Sequence, residues 1–345
     1  MLLLLLPVIA ALVPTPPLRH RLRVYIEDTD CYQIVFCEST HCVSLPFSSD
    51  LTIKPDWFLR VCTGTDGNYL RFFERAAAAA IGTPRLGRCL RDRGLTFGLH
   101  YADGLRYSQA ARLGDECDVI STPLGLDEAG RLVLSVSLVR VADGRELIAA
   151  SDLRFGFSST HTGLSPAWPL EEPKLVVDDD ATLLADPYHT ADEEPPAADT
   201  SPPLPLEAPL RLQFDECDAH GGLSLHAVAR YFERHRTTYL GGPDGLEELQ
   251  RDSGVNVVVA RISGFRLMPA AFDAEADVRV GCALDLRCRV VLAGKRVRFE
   301  QWLMHGESAA PLARADVECL CLDSMTGKIV AAPAAVRKRL LAWQL

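Results

Sequence analysis

The sequence predicts an α+β protein in which one unit, a long helix packed on an antiparallel β-sheet, occurs twice. Three observations predict this. First, an acidic cluster at the end of a strand-like run precedes an amphipathic helix at two places. Glu27-Asp28-Thr29-Asp30 stands before Asn68-Tyr69-Leu70-Arg71-Phe72-Phe73-Glu74-Arg75, and Asp215-Glu216-Cys217-Asp218 before Ala227-Val228-Ala229-Arg230-Tyr231-Phe232-Glu233-Arg234. Second, spacings recur. Glu74 to Asp118 and Glu233 to Asp277 are both 44 residues, and Asp152 to Gly163 and Asp316 to Gly327 are both 11. Third, only strand-like runs follow each helix. An internal repeat constrains architecture before any single residue does.

Each element has its own signal. Arg21 to Ile26 alternates as a strand does. Tyr69, Phe72, Phe73, Ala76 and Ala80 share one face at helical spacing, and Gly82 and Pro84 end that helix. In the second copy Ser224 is the N-cap, Leu225, Val228, Ala229 and Phe232 form the apolar face, and Gly241-Gly242-Pro243 is the stop. Strands are expected at 95–109, 116–124, 131–141 and 146–157, then at 255–267, 275–280, 283–293, 296–304 and 312–322. Turns between them are marked by Glu128-Ala129-Gly130, Ala142-Asp143-Gly144 and Ala293-Gly294-Lys295. Each helix must cover one face of its sheet, because a single sheet cannot bury its own apolar side.

The two copies differ in one loop. Asp218 to Glu233 is 15 residues, whereas Asp30 to Glu74 is 44, or 29 more. The surplus makes 37–67 an insert, readable as a lid over the first acidic turn, a disordered loop, or translated intron. Its cysteines, like the other eight of the chain's 11, show no CxxC pair or zinc-ligand spacing, and they read as ordinary thiols. Cys319 and Cys321 alternate along a strand and should face the same side.

Charge locates the linker. Residues 165–209 hold 11 acidic residues against one basic residue, Lys174, which accounts for the whole net charge of −10, and they hold 10 of the 22 prolines. Such composition cannot bury enough apolar surface to order itself. The expected organisation is a segment at 1–19, a first domain at 20–163, a linker at 164–208 and a second domain at 209–345. With no net positive charge outside the linker, nucleic-acid binding has no support. The apolar start Met1–Val13 is too short to span a bilayer, so no stable membrane span is expected. It resembles a signal-peptide core without a preceding Lys or Arg. Secretory or organelle routing and a cytoplasmic location both remain open on this reading.

The string Val24-Tyr25-Ile26-Glu27-Asp28-Thr29-Asp30, then Ile34-Val35-Phe36, then Asn68 to Arg75, closely resembles the hotdog-fold acyl-CoA thioesterases of the 4-hydroxybenzoyl-CoA thioesterase type. Leu105-Arg106, Ala110 to Asp115 and Asp143 to Ala149 are similar to that family's later strands. The resemblance covers about 20–163 and 208–335. It implies two hotdogs in one chain, a double hotdog, with sites where the copies meet. Homodimers or higher oligomers of double hotdogs are compatible with it.

The resemblance also implies a chemistry: hydrolysis of acyl-CoA or acyl-carrier-protein thioesters, with no cofactor and no metal. Thioester hydrolysis needs a base or nucleophile and donors for the developing oxyanion. The family's catalytic carboxylate carries over to Asp30 and, through the repeat, to Asp218. The oxyanion donor, a backbone N–H at the helix start, carries over to Leu225 and Cys37. Tyr25 and Ser224 fall beside the substrate on the same reading. The chain departs from the family pattern as well. Gln33 and Cys37 stand where Gly and His are usual, and the second copy keeps Gly221 but has Leu225, with His226 one residue late.

By residue type alone, Glu74 and Glu233 read as solvated or Arg-paired helix residues, and His220 and His226 as surface residues. No G-x-S-x-G string supports a serine hydrolase, and no G-x-x-x-x-G-K-[ST] string a phosphate loop. Two alternatives stand beside hydrolysis. One is a hotdog hydratase or dehydratase, which requires a His–Asp pair within one site that the sequence does not place. The other is a non-catalytic acyl-binding scaffold.

Overall fold

The computed structural model of the protein describes residues 20–25, 66–109, 111, 115–159, 163–164, 210–213, 216–217, 222–273 and 278–342. The 1–19 segment, Asp30, Cys37 and the insert up to residue 65, the 165–209 linker, Asp218 and His220 lie outside these residues.

The first half runs β1 (His20–Tyr25), α1 (Asp66–Ile81), α2 (Thr83–Arg93), β2 (Thr96–Asp103), β3 (Leu105–Tyr107), β4 (Glu116–Leu126), β5 (Leu132–Arg140), β6 (Glu146–Ser159) and β7 (Gly163–Leu164). The second runs β8 (Leu210–Arg211), α3 (Leu225–Tyr239), α4 (Gly242–Ser253), β9 (Val255–Leu267), a 3-10 turn (Pro269–Phe272), β10 (Ala283–Ala293), β11 (Arg296–His305), β12 (Pro311–Asp323), β13 (Ile329–Val330) and α5 (Ala334–Leu341). The strands form one sheet in the order β1-β4-β5-β6-β2-β9-β12-β11-β10-β8, with all pairs antiparallel. This is the expected double hotdog. Two long helices lie side by side, each covered by its own half of a shared sheet.

The helix patterns account for the core. In α1, Tyr69, Leu70, Phe72, Phe73, Ala76, Ala77 and Ile81 are buried; in α3, Leu225, Val228, Ala229, Tyr231 and Phe232 are. Each fully buried large apolar side chain contributes about 1.5–3 kcal/mol. Phe265 of β9 reaches Phe232, with ring centroids 5.9 Å apart. Cys319 and Cys321 are both buried on the helix side of β12, as their alternation requires.

Three sequence expectations need correction. Gly82 and Pro84 do end α1, but they also start a further helix, α2, which has Pro in its first turn. Gly241 and Pro243 do the same for α4. A glycine followed by proline is as good a start as a stop, because the missing N–H of proline is not needed in a first turn. Gly94 and Gly254 then close both short helices in the left-handed conformation, each at φ 63°. The run expected as a strand at 275–280 is not one where it is described: Val280 and Gly281 form a turn, and the strand begins at Ala283. The Cys282 N–H donates to the Arg279 carbonyl at 2.9 Å across this turn, and the Gly281 N–H to the Leu212 carbonyl at 2.8 Å. The equal 44-residue spacings therefore do not carry through to the strands. β4 already contains Asp118, whereas β10, its counterpart in the second half, begins only at Ala283.

The halves join along β2, β3 and β9. Tyr101 pairs with Arg266 and Ala102 with Phe265, then Leu105 with Ile262 and Arg106 with Arg261. Between these two stretches the Gly264 N–H donates to Asp103 Oδ1 at 2.9 Å. The β2–β9 ladder starts at Tyr101, so the first half of β2 has no β9 partner.

Candidate active site between the two halves

The site is built at the start of α3. Ser224 is the N-cap in an extended conformation, and its Oγ accepts from the Ala227 N–H at 3.4 Å. The same hydroxyl donates to the Glu216 carbonyl at 2.8 Å, which ties the helix start to the acidic turn before it. Cys217 and Leu223, which flank Asp218 in the sequence, form a β-bridge. A first helical turn has no carbonyls for its leading N–H groups, so those of Leu225 and His226 point out of the helix end. The positive end of the helix dipole adds to their pull on an anion.

The turn is anchored by a buried carboxylate. Glu216 is buried, and its Oε2 accepts from the Tyr231 hydroxyl and, at 3.0 Å, from the Gln213 N–H. Its Oε1 faces Arg230 NH2 at 3.4 Å. Burial first, and then the adjacent Glu216, push the Tyr231 hydroxyl well above its usual range, so it stays a donor.

The other half supplies the facing group. Glu74, in the middle of α1, accepts from the Leu99 N–H through Oε1 at 3.1 Å. The β2–β6 register shifts between Leu99 and Tyr101, at the part of β2 that β9 leaves unpaired. Glu74 Oε2 lies 3.3 Å from His226 Nδ1, and His226 Nε2 lies 3.3 Å from Ser224 Oγ. The Glu74–His226 contact meets the distance of an ion pair, but His226 Nδ1 has no hydrogen bond of good angle. Catalytic hydrogen bonds are often loose before substrate binds. The Glu74 side chain is 24% exposed and that of His226 14%, so solvent reaches both.

A carboxylate from one half, an imidazole from the other and two outward N–H groups thus converge at the joint. The arrangement can polarise a carbonyl and move a proton. Ser224 is poorly placed as a nucleophile, because its hydroxyl proton is directed to the Glu216 carbonyl.

The sequence-predicted residues fare unequally. Ser224 and Leu225 are at the α3 start, and Leu225 is fully buried there. Asp30, Asp218 and Cys37 lie outside the described residues. Tyr25 ends β1 opposite Glu116, and its side chain is not among those described. Sequence reasoning read Glu74 as a solvated or Arg-paired helix residue and His226 as a surface residue; both are part-exposed, and they face each other across the joint. The signal that could have found them was the two-copy arrangement itself, which sets the helix of one copy against the helix start of the other.

No family model matches the sequence, and no curated protein does. Solved structures do. The chain is similar to a protein described as an oleoyl thioesterase from Lactobacillus plantarum, at 11% identity and a TM-score of 0.57, over 88% of this chain and 95% of that one. It is also similar to an acyl-ACP thioesterase from Bacteroides thetaiotaomicron, at 13% identity and a TM-score of 0.51, over 87% and 97% of the two chains. Both likenesses run across the two halves, and at these identities they establish the shared double-hotdog fold.

Proposed function

We propose that the protein hydrolyses acyl thioesters, carried on coenzyme A or on a carrier protein, at the joint between α3 and α1. The observation that carries this reading is the convergence of Glu74, His226 and the α3 N-terminus from different halves. The two thioesterases of the same fold support it. In the proposed reaction the thioester carbonyl oxygen lies against the Leu225 and His226 N–H groups. Asp218 takes a proton from water as that water adds to the acyl carbon, or attacks the carbon itself to give a mixed anhydride that a water molecule then cleaves to the free acid and Asp218. The C–S bond breaks, the thiolate leaves, and the Glu74–His226 pair supplies the second acid–base group. Asp30 would serve likewise in the first half, but the helix start expected at Cys37 falls at Asp66, after the 29 extra residues, so the Cys37 N–H is not the α1 counterpart of the Leu225 donor.

The test is thiol release from a panel of acyl-CoA esters by wild type, Asp218→Asn, Asp30→Asn and the double variant. Positioned acid–base groups contribute about 10²- to 10⁴-fold, and Asp218→Asn should lose a factor in that range. Undiminished hydrolysis in the double variant would exclude both carboxylates.

A second reading rests on one observation. His226 lies 3.3 Å from Glu74, a His–Glu contact where the hydratase or dehydratase expectation called for His–Asp. Enoyl thioesters separate the readings: hydrolysis releases thiol, whereas hydration removes the conjugated double bond and leaves the thioester intact. Tight acyl-CoA binding with neither product would point to a scaffold.

A further inference from the structure

A row of residues crosses the sheet on the face away from the helices. Arg154 of β6 is opposite Tyr101 of β2, Tyr101 opposite Arg266 of β9, Arg266 opposite Arg314 of β12, and Arg314 opposite Trp302 of β11. Directly opposed residues share a face, with side chains about 5 Å apart. Their chain neighbours Leu153, Ala102, Phe265, Ala313 and Leu303 are in the core on the other side.

The arginines in this row are not equivalent. Arg154 pairs with Asp152 at 2.8 Å and Asp127 at 3.2 Å and lies 5.3 Å from the Tyr101 ring centroid. Arg314 lies 5.2 Å from the Trp302 centroid and faces Asp316 at 3.6 Å. Arg266 is 9% exposed, its Nε is buried with no hydrogen-bond partner, and it makes no ion pair among the described residues. The neighbouring Tyr101 cannot become its counterion at neutral pH: burial, then Asp103 and Asp152, push its hydroxyl up to about 12. Asp103, the nearest carboxylate along β2, already accepts from Gly264. A buried cation without a counterion is strongly unfavourable, and a like charge directly opposite adds to the cost.

We propose that Arg266 anchors a binding site for an oxyanion of phosphate type, on the outer face of the sheet where the two halves join. The guanidinium fork matches a phosphoryl group geometrically, and such an anion would answer the Arg266 charge. The phosphoryl group comes either from inorganic phosphate or from coenzyme A, and only the second source rests on the proposed hydrolysis.

Thermal unfolding tests the site without reference to activity. Wild type, Arg266→Met and Arg296→Gln are melted in chloride, in inorganic phosphate at equal ionic strength, and with coenzyme A or pantetheine in chloride. Arg296 is an exposed arginine of β11 paired with Glu318, and its variant controls for general salt effects. Wild type and Arg296→Gln should gain Tm with phosphate to saturation, as binding to the folded state requires. Arg266→Met should show no specific gain and should melt no lower than wild type in chloride, because it removes an unpaired buried charge. A gain with coenzyme A but not pantetheine that is lost in Arg266→Met would assign the phosphoryl group to the substrate carrier, and a coenzyme A gain kept in full by Arg266→Met would not. An equal phosphate gain in Arg266→Met, or none in wild type with either phosphate or coenzyme A, would overturn the proposal.

Discussion

The starts of the two long helices differ although their sequences are related. At α3 a short loop leads from Glu216 to Ser224, and the loop is held by the Tyr231 hydroxyl, Arg230 and the N-cap. At α1 the helix begins at Asp66 after 29 additional residues, and Phe72 stands where α3 has Tyr231. What α1 retains is Glu74, which is directed at the start of α3. Among the described residues, then, the second half supplies the capped helix start and the first half the carboxylate that faces it.

Stability measurements can break this comparison. The largest effect is expected for Glu216→Ala, which strips a buried carboxylate from Tyr231 and Arg230; loss of one partner from such a cluster costs about 3–5 kcal/mol. Tyr231→Phe should cost about 1–3 kcal/mol, because Glu216 loses a donor. Phe72→Tyr tests the other side. A loss of Tm is expected, and a gain would show that the first acidic turn has the same anchor and erase the difference. Ser224→Ala should cost about 1 kcal/mol through the lost cap, measurable by denaturant unfolding.

A further effect, confined to low pH, is in the pH dependence. His235 of α3, where α1 has Ala76, is held neutral by burial and by the nearby Arg236, which lower its pKa from 6.5 to about 3. The unfolded chain binds that proton first, so this contribution is complete above pH 6.5 and is lost as pH falls towards 3. His235→Leu should flatten the fall of Tm over that window. The remaining slope includes His100 of β2, which burial and then Arg131 lower to about 3 as well.

Much of the fold was legible because repeat and periodicity are local properties. The apolar faces of α1 and α3, the Ser224 cap and most strands follow from residue types at fixed spacing. Three short helices were missed, α2 and α4 because Gly82-Thr83-Pro84 and Gly241-Gly242-Pro243 serve both to stop and to start a helix, and α5 because no periodic face was read after the last strand. The site was half legible. The helix start at Ser224 and Leu225 shows in the sequence, whereas Glu74 and His226 are 152 residues apart and meet only because the halves pack together. Arg266 was not legible either, since a lone arginine in a strand-like run reads as a solvated residue until its cross-strand neighbours are known.

The central claim is that the working site combines Glu74 of one half with the α3 start of the other. The direct measurement is kcat/KM for acyl-CoA hydrolysis in Glu74→Gln and in Glu233→Gln, its counterpart on α3. A loss of about 10²-fold or more is expected for Glu74→Gln, and a much smaller one for Glu233→Gln. Full activity in Glu74→Gln, with the loss in Glu233→Gln instead, would contradict the claim.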